Sequence, residues 1–254
     1  MKKKILGEFI GTFILVLFGC GSVAVAVLYQ NLNLYQIASI WAFAVAAGIY
    51  ASRKLSKSHL NPAVTLGFWI FKDINTREVL PYIIGQFFGA VFAGIALYFI
   101  FAEQITLFEA ENTIIRGYEA SKQTAMMFGE FYPNPGNDSL TELSTTMACL
   151  FEGLGTFALM FGILVLVHIK SIPENLLPVL IGLLVGTIIV FVAPYTQAGL
   201  NPARDFGPRL VSYFAGWKEV AFSLPNLGWL TVYILTPIAG SIIASVCYRK
   251  LKKT

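Results

Sequence analysis

The sequence predicts an all-α membrane protein with six transmembrane helices and two re-entrant half-helices in an inverted repeat. Hydrophobic residues make up 56% of the chain and charged residues 13%, against roughly 45–50% and about 25% in soluble domains. Apolar runs of about 18 residues or more recur along the chain, as expected of membrane spans, and the two halves share sequence motifs. These observations exclude an ordinary water-soluble enzyme, a disordered chain and a nucleic-acid-binding protein.

Six apolar segments predict the transmembrane helices, at about residues 5–28, 35–54, 79–101, 145–168, 176–194 and 229–248. The first gives a helix of about 36 Å at 1.5 Å per residue, enough to cross a hydrocarbon core of about 30 Å. Two further apolar segments begin at Pro62 and Pro202 and run for about 10–12 residues. Helices of that length reach only about halfway through the core, so we interpret them as re-entrant half-helices.

Basic residues concentrate at both termini and in alternate connections, whereas the connection 102–144 is rich in Asp and Glu. By the positive-inside rule, the basic segments face the cytoplasm. We therefore expect both termini in the cytoplasm, the connection 102–144 outside, and a multi-pass location in the cell membrane, which is the cytoplasmic membrane if the protein is bacterial. The basic residues are Lys2, Lys3, Lys4, Arg53, Lys54, Lys57, Lys72, Arg77, Lys170, Arg249, Lys250, Lys252 and Lys253.

An internal repeat relates the two halves of the chain. The segment 7–13 around Glu8 recurs as 151–157 around Glu152, and the segment 59–63 recurs as 199–203. Each unit holds three spans and a half-helix, and an odd number of spans makes the two units insert in opposite senses. The sequence thus predicts a single membrane domain, 1–254, with repeats at about 5–101 and 145–248 joined by the outer connection.

Each half contains an Asn-Pro-Ala tripeptide, Asn61-Pro62-Ala63 and Asn201-Pro202-Ala203. Asn caps a helix well, and Pro in the first turn costs no hydrogen bond. The repeat brings both helix N-termini together near the bilayer midplane, where irregular backbone is tolerated only if it is buried or lines a polar cavity. We expect a narrow pore in which uncharged solutes accept hydrogen bonds from both Asn amides, while cations and relayed protons meet an electrostatic barrier. Backbone carbonyls of residues 56–60 and 196–200 would supply acceptors.

Charged residues in apolar surroundings are the other candidates. Arg204 follows the second tripeptide, and a buried arginine in a membrane is a functional residue by default. We expect it to line the pore as a charged donor, the alternative being an arginine whose head group reaches the membrane surface. Asp205 is expected to pair with an arginine such as Arg209 rather than to face the pore.

Both repeats also keep a carboxylate within the first span. We expect Glu8 and Glu152 to hold the re-entrant loops by accepting hydrogen bonds from backbone N–H groups, with a proton relay as the alternative. His59 is expected to line the pore, the alternative being a histidine of the core. The residues beside the two tripeptides that we expect to line or support the pore are His59, Leu60, Gly199 and Leu200.

These residues resemble the aquaporin, or major intrinsic protein, family over essentially the whole chain. The segments 59–66, 132–135 and 201–209 are most similar to glycerol facilitators. The resemblance implies a homotetramer in which each subunit has its own pore. Such pores conduct small neutral solutes and water passively, without a cofactor and without any enzymatic activity.

By position, the resemblance implies a selectivity filter formed by Trp41, Ile189, Ala198 and Arg204. Asp205 is similar to the aspartate that marks the glycerol-conducting branch of the family. Trp41 stands at a position where strict water channels resemble one another in a His–Phe pair that narrows the filter. The resemblance therefore favours glycerol as the solute.

Two features differ from typical glycerol facilitators, which carry an aromatic residue in place of Ala198 and a proline in place of Tyr233. The filter set and the Tyr233–Ile234 pair instead resemble plant nodulin-26-like channels, which pass glycerol, water and metalloid hydroxides. The missing ring widens the filter, so we expect broader selectivity that could include urea.

Other classes of function remain open at this stage. A water-selective aquaporin has the same fold, and coupled secondary transporters share inverted repeats and broken helices. A structural membrane protein would use the fold with little flux. An enzyme is disfavoured because no carboxylate pair, catalytic triad or metal cluster falls at one depth, and Cys20, Cys149 and Cys247 lack the spacing of metal ligands.

Overall fold

The computed structural model describes residues 1–252, which form helices and turns without a β-strand. Lys253, one of the basic residues used to predict the topology, lies outside the described residues. The elements are α1 (Lys2–Tyr29), α2 (Leu34–Ser52), α3 (Pro62–Phe71), α4 (Thr76–Glu111), α5 (Lys122–Ala125), α6 (Thr145–His168), α7 (Leu177–Thr196), α8 (Pro202–Ser212) and a C-terminal span, Pro225–Leu251.

Six of these helices are long and apolar enough to cross a membrane, namely α1, α2, α4, α6, α7 and the C-terminal span. The predicted fold class and number of spans are confirmed. The predicted boundaries lie close to the observed ones because long apolar runs fix where a helix can lie in the hydrocarbon core. The exception is the end of α4.

Helix α4 continues to Glu111, ten residues beyond the predicted end at 101. These residues were predicted to belong to the outer connection because several of them are acidic. Ile105 and Phe108 nevertheless keep an apolar face at helical spacing, and both are buried. Glu109 is also buried and pairs with Arg116, so its charge is neutralised by the protein rather than by solvent. Burial of this face extends the helix.

The two half-helices begin at the predicted prolines. Helix α3 has 10 residues and α8 has 11, which gives lengths of about 15–17 Å, too short to cross the hydrocarbon core. Asn61 and Asn201 precede them in extended conformation, and each side chain accepts hydrogen bonds from N–H groups of the first turn. The local sequence therefore sets where each half-helix starts.

The helices pack in a pattern that is the same in both halves. Helix α1 packs on α2 and α4, and α6 packs on α7 and the C-terminal span. A Cβ atom on Gly89 would overlap the Phe9 carbonyl, and one on Gly240 would overlap the Gly153 carbonyl. Helix α3 packs on the C-terminal span, and α8 packs on α4. Each half-helix is thus held by the last span of the other half.

Candidate functional site

A cavity of about 920 Å³ extends along the two half-helix N-termini. Part of its lining is aliphatic, supplied at helical spacing by α2, α6 and α7. The other part is polar and comes from the loops 58–61 and 198–201 and from Arg204. The aliphatic residues are Val45, Ile49, Leu159, Ile163, Val167, Ile181, Val185 and Ile189.

The asparagine of each tripeptide is hydrogen-bonded to the leucine that precedes the other tripeptide. The Asn61 Nδ2 group donates to the Leu200 carbonyl at 2.9 Å, and the Asn201 Nδ2 group donates to the Leu60 carbonyl at 2.8 Å. Each amide has two N–H hydrogens, and both asparagines line the cavity. One hydrogen of each amide is therefore used within the protein, and one remains for a molecule in the cavity.

The loop before each half-helix contains non-glycine residues with a positive φ angle. Ser58 and Leu60 in the first loop, and Ala198 and Leu200 in the second, have φ values between 53° and 59°. This left-handed conformation costs non-glycine residues roughly 1–2 kcal/mol each. Of the carbonyls expected to serve as acceptors, those of Leu60 and Leu200 are used between the loops, and that of Thr196 accepts from the Tyr233 hydroxyl.

The strained loops are held by the two buried carboxylates. Glu8 accepts hydrogen bonds from the backbone N–H groups of His59 and Leu60. Glu152 accepts from those of Gly199 and Leu200, at 2.8 and 2.7 Å. Both glutamates are fully buried. Charge-assisted hydrogen bonds of this kind are about twice as strong as neutral ones, which offsets the backbone strain.

Side chains complete these two anchoring sites, and they differ between the halves. Ser56 and Gln86 donate to Glu8 at 2.6 and 2.7 Å. Thr196 donates to Glu152 at 2.6 Å. Every oxygen of both carboxylates therefore faces a donor. Two of the donors to each carboxylate are backbone N–H groups of the adjacent loop, which is the arrangement expected of an anchoring residue.

The four residues expected to form a filter all line the same cavity. The Arg204 guanidinium lies over the Trp41 ring, 4.6 Å from its centroid, and Arg204 is only 4% exposed. A Cβ atom on Gly19 would overlap the Trp41 ring, so this glycine leaves the space that the indole occupies. Ile189 and Ala198 are both buried beside the cavity.

Asp205 does not line the cavity. It forms two hydrogen bonds with Arg209, from Nε at 3.0 Å and from Nη2 at 2.7 Å. It also accepts a hydrogen bond from the backbone N–H of Glu130. All three residues are fully buried, so Asp205 acts within the protein by joining α8 to the outer connection.

His59 lies between the first loop and the aromatic side chains below it. Its ring stacks on Phe68 with 4.6 Å between centroids, and its Nδ1 atom lies 3.2 Å from the Thr65 hydroxyl. His59 also lines the cavity. The structure therefore places His59 as a packed residue with one edge at the cavity.

Glu130 was not predicted as a site residue, because its sequence context gave it only as one of the acidic residues of the outer connection. Glu130 is instead fully buried and forms an ion pair with Arg204. Its neighbours Phe128, Phe131 and Tyr132 are buried as well. An acidic residue among large apolar ones was the available signal that this part of the connection folds inward.

The cavity opens beside the basic connection that follows α2. Arg53, Lys54 and Lys57 line this end, together with Glu174 and Asn175 from the connection between α6 and α7. The cavity lining therefore runs along α2 from the filter residue Trp41 to the basic residues that follow the C-terminus of this helix.

Six spans and two capped half-helices around a partly polar cavity define a membrane channel protein. The chain matches the family described as Major intrinsic protein over residues 1–248, and it belongs to that family. It is therefore a multi-pass membrane protein and not an enzyme.

Similar proteins that are named as uptake facilitators support the same assignment. The chain is 35% identical to the glycerol uptake facilitator protein of Haemophilus influenzae, covering 98% of this chain and 94% of that protein. It is 36% identical to the protein of the same name from Escherichia coli K12, over 99% and 88%. A propanediol uptake facilitator of Salmonella typhimurium is 35% identical, over 98% and 93%. The solved aquaglyceroporin of Plasmodium falciparum superposes with a TM-score of 0.83 at 26% identity, covering 99% and 96%.

Proposed function

We propose that this protein is a passive transmembrane channel for glycerol and other small uncharged solutes, which also conducts water and excludes ions and protons. The observation that carries the proposal is the mixed lining of the cavity. Glycerol has hydroxyl groups along one side of a carbon chain. Its hydroxyls fit the free Asn61 and Asn201 N–H groups and the loop carbonyls, and its carbon atoms fit the aliphatic side chains of α2, α6 and α7.

Solute selection is assigned to Trp41, Ile189, Ala198 and Arg204. The Arg204 guanidinium supplies fixed hydrogen-bond donors, and the Trp41 ring beside it supplies an apolar surface. Ala198 leaves the space that a ring would fill. We therefore infer that the filter also admits urea and metalloid hydroxides.

Exclusion of cations and protons follows from the fixed positive charges at the centre. The N-termini of α3 and α8 present the positive ends of two helix dipoles to the cavity, and the Arg204 guanidinium also lines it. Each asparagine can donate but already uses its oxygen as a helix cap. A water molecule at this point accepts hydrogen bonds from both sides, which interrupts a chain of proton transfer.

The proposal includes the assembly and the location. We infer a homotetramer in the cell membrane, which is the cytoplasmic membrane if the protein is bacterial, with both termini in the cytoplasm. The basic residues at the cavity end, Arg53, Lys54 and Lys57, support this orientation through the positive-inside rule. Large apolar side chains such as Phe99, Phe191 and Phe214 are exposed on the helix surfaces, where they are available to lipid and to neighbouring subunits.

The test is stopped-flow light scattering of liposomes that contain the purified protein, with empty liposomes as the control. In a glycerol gradient we expect rapid shrinkage followed by fast re-swelling. In a gradient of impermeant sucrose we expect shrinkage alone, at a rate that reports water conduction. Fast shrinkage without glycerol re-swelling would instead identify a water-selective channel.

A further inference from the structure

Glu130 contacts the filter arginine, Arg204, on the side away from the cavity. Its carboxylate forms an ion pair with Arg204 Nη1, and Glu130 is fully buried. Arg204 lines the cavity, whereas Glu130 does not. The backbone of Glu130 is fixed at the same place, since its N–H donates to Asp205 at 2.8 Å and its carbonyl accepts from Arg209.

The buried charges around the filter balance in pairs. Asp205 is bound to Arg209 through two hydrogen bonds, which leaves Arg204 to Glu130. Among the described residues, Glu130 is the one carboxylate in an ion pair with Arg204. With both carboxylates ionised, two arginines and two acids sum to zero net charge behind the narrow part of the cavity.

The backbone contacts of Glu130 could be made by any residue, so the side chain contributes something else. Among the described residues, its carboxylate has no hydrogen-bond partner besides the ion pair with Arg204. Burial raises the pKa of the Glu130 carboxyl and the Arg204 guanidinium lowers it, so the ion pair with Arg204 is what favours a negative charge on this side chain. A cleft with an uncompensated charge concentrates ions of the opposite sign by about 10- to 1000-fold, and the half-helix N-termini already favour anions at this site.

We propose that Glu130 is the counter-ion of Arg204. Its negative charge keeps small anions out of a filter that the half-helix N-termini already close to cations. Glu130 acts as a positioning and specificity-determining residue, because it acts on the solute only through Arg204. The inference rests on the proposed channel function. The geometry supporting it is a buried carboxylate that contacts the filter arginine from outside the cavity.

The experiment measures nitrate entry into valinomycin-treated liposomes in a potassium nitrate gradient, and glycerol re-swelling in the same preparations. We expect Glu130→Gln to conduct glycerol and to raise nitrate permeability by about tenfold or more. Glu119→Gln is the matched control, since this exposed glutamate of the same connection forms its ion pair with Lys122, away from the filter residues. It should remain as impermeable to nitrate as the wild type.

Two further variants separate charge from structure. Glu130→Gln combined with Arg204→Gln removes both charges and should exclude nitrate again, while Glu130→Asp keeps the charge and should exclude it throughout. The inference is overturned if Glu130→Gln conducts glycerol and still excludes nitrate. If Glu130→Gln yields no folded protein, Glu130→Ser, which also removes the charge, takes its place: a nitrate leak in that variant supports the inference, and nitrate exclusion with normal glycerol conduction overturns it. Failure of the wild type to conduct glycerol would count against the proposed function instead.

Discussion

At the scale of single residues, Asn61 and Asn201 join the two halves, because each caps its own half-helix and donates a hydrogen bond to the loop of the other half. Asn61 and Asn201 were predictable as helix caps and cavity residues because Asn-Pro at a half-helix start leaves few other roles. The hydrogen bonds from each asparagine to the opposite loop, at 2.9 and 2.8 Å, were not predictable. They depend on how two segments about 140 residues apart approach each other, and no local rule gives that distance.

Ala198 offers a direct test of filter width. Replacing it by Phe adds a ring beside Arg204, so we expect re-swelling with erythritol, urea and arsenite to fall by about tenfold relative to glycerol. The φ of Ala198 is 59°, a conformation that glycine adopts freely. Ala198→Gly is therefore the control, since it keeps the loop conformation without adding bulk. Unchanged permeability ratios in Ala198→Phe would show that Ala198 does not set the width.

Gly19 tests the position of Trp41. A Cβ atom at Gly19 would overlap the indole ring, whereas one at Gly21 would have its nearest neighbour at 3.5 Å, an ordinary contact. We expect Gly19→Ala to displace Trp41 and to lower glycerol permeability by about tenfold, while Gly21→Ala conducts normally and gains helix propensity of about 1 kcal/mol. Equal glycerol re-swelling rates for the two variants would contradict this account of Trp41.

At the scale of elements, long apolar segments were predictable and the outer connection was not. The six spans follow from hydropathy and length alone, because the bilayer imposes both. The end of α4 and the inward fold of the connection depend on tertiary burial of Ile105, Phe108 and Phe131. Acidic residues nearby indicated solvent exposure, yet Glu109 and Glu130 are buried with arginine partners. These ion pairs keep the two acidic residues buried, although the local sequence indicated that they face solvent.

The conformation of the loop before α8 depends on its hydrogen bonds to Glu152. Three groups donate hydrogen bonds to Glu152, from Thr196, Gly199 and Leu200. In Glu152→Gln, at least one of these donors would face the N–H₂ group of the new amide and lose its acceptor. We expect a loss of about 2–3 kcal/mol in the free energy of unfolding, measured as a lower thermal midpoint in detergent. Glu103→Gln, at an exposed position of α4, is the control. Equal midpoints for the two variants would mean that Glu152 does not hold the loop.

At the scale of the whole molecule, the two halves hold each other. Helix α3 packs on the C-terminal span and α8 packs on α4, so neither half encloses the cavity alone. The repeat made this symmetry predictable, since motifs around Glu8 and Glu152 occur at matching places. The contacts between the two halves also favour a fixed pore over a transporter in which one half moves against the other. The asparagines join the two loops directly, and rocking of one half against the other would break both hydrogen bonds.

The central claim is that solute passes through a fixed pore without a transport cycle. The most direct measurement is the initial rate of labelled glycerol entry into proteoliposomes over a wide range of glycerol concentrations, with and without a membrane potential. The account predicts a rate that rises in proportion to concentration and does not respond to the potential. Saturation at low glycerol concentration, or a rate that follows the potential or a proton gradient, would contradict it and indicate a coupled transporter.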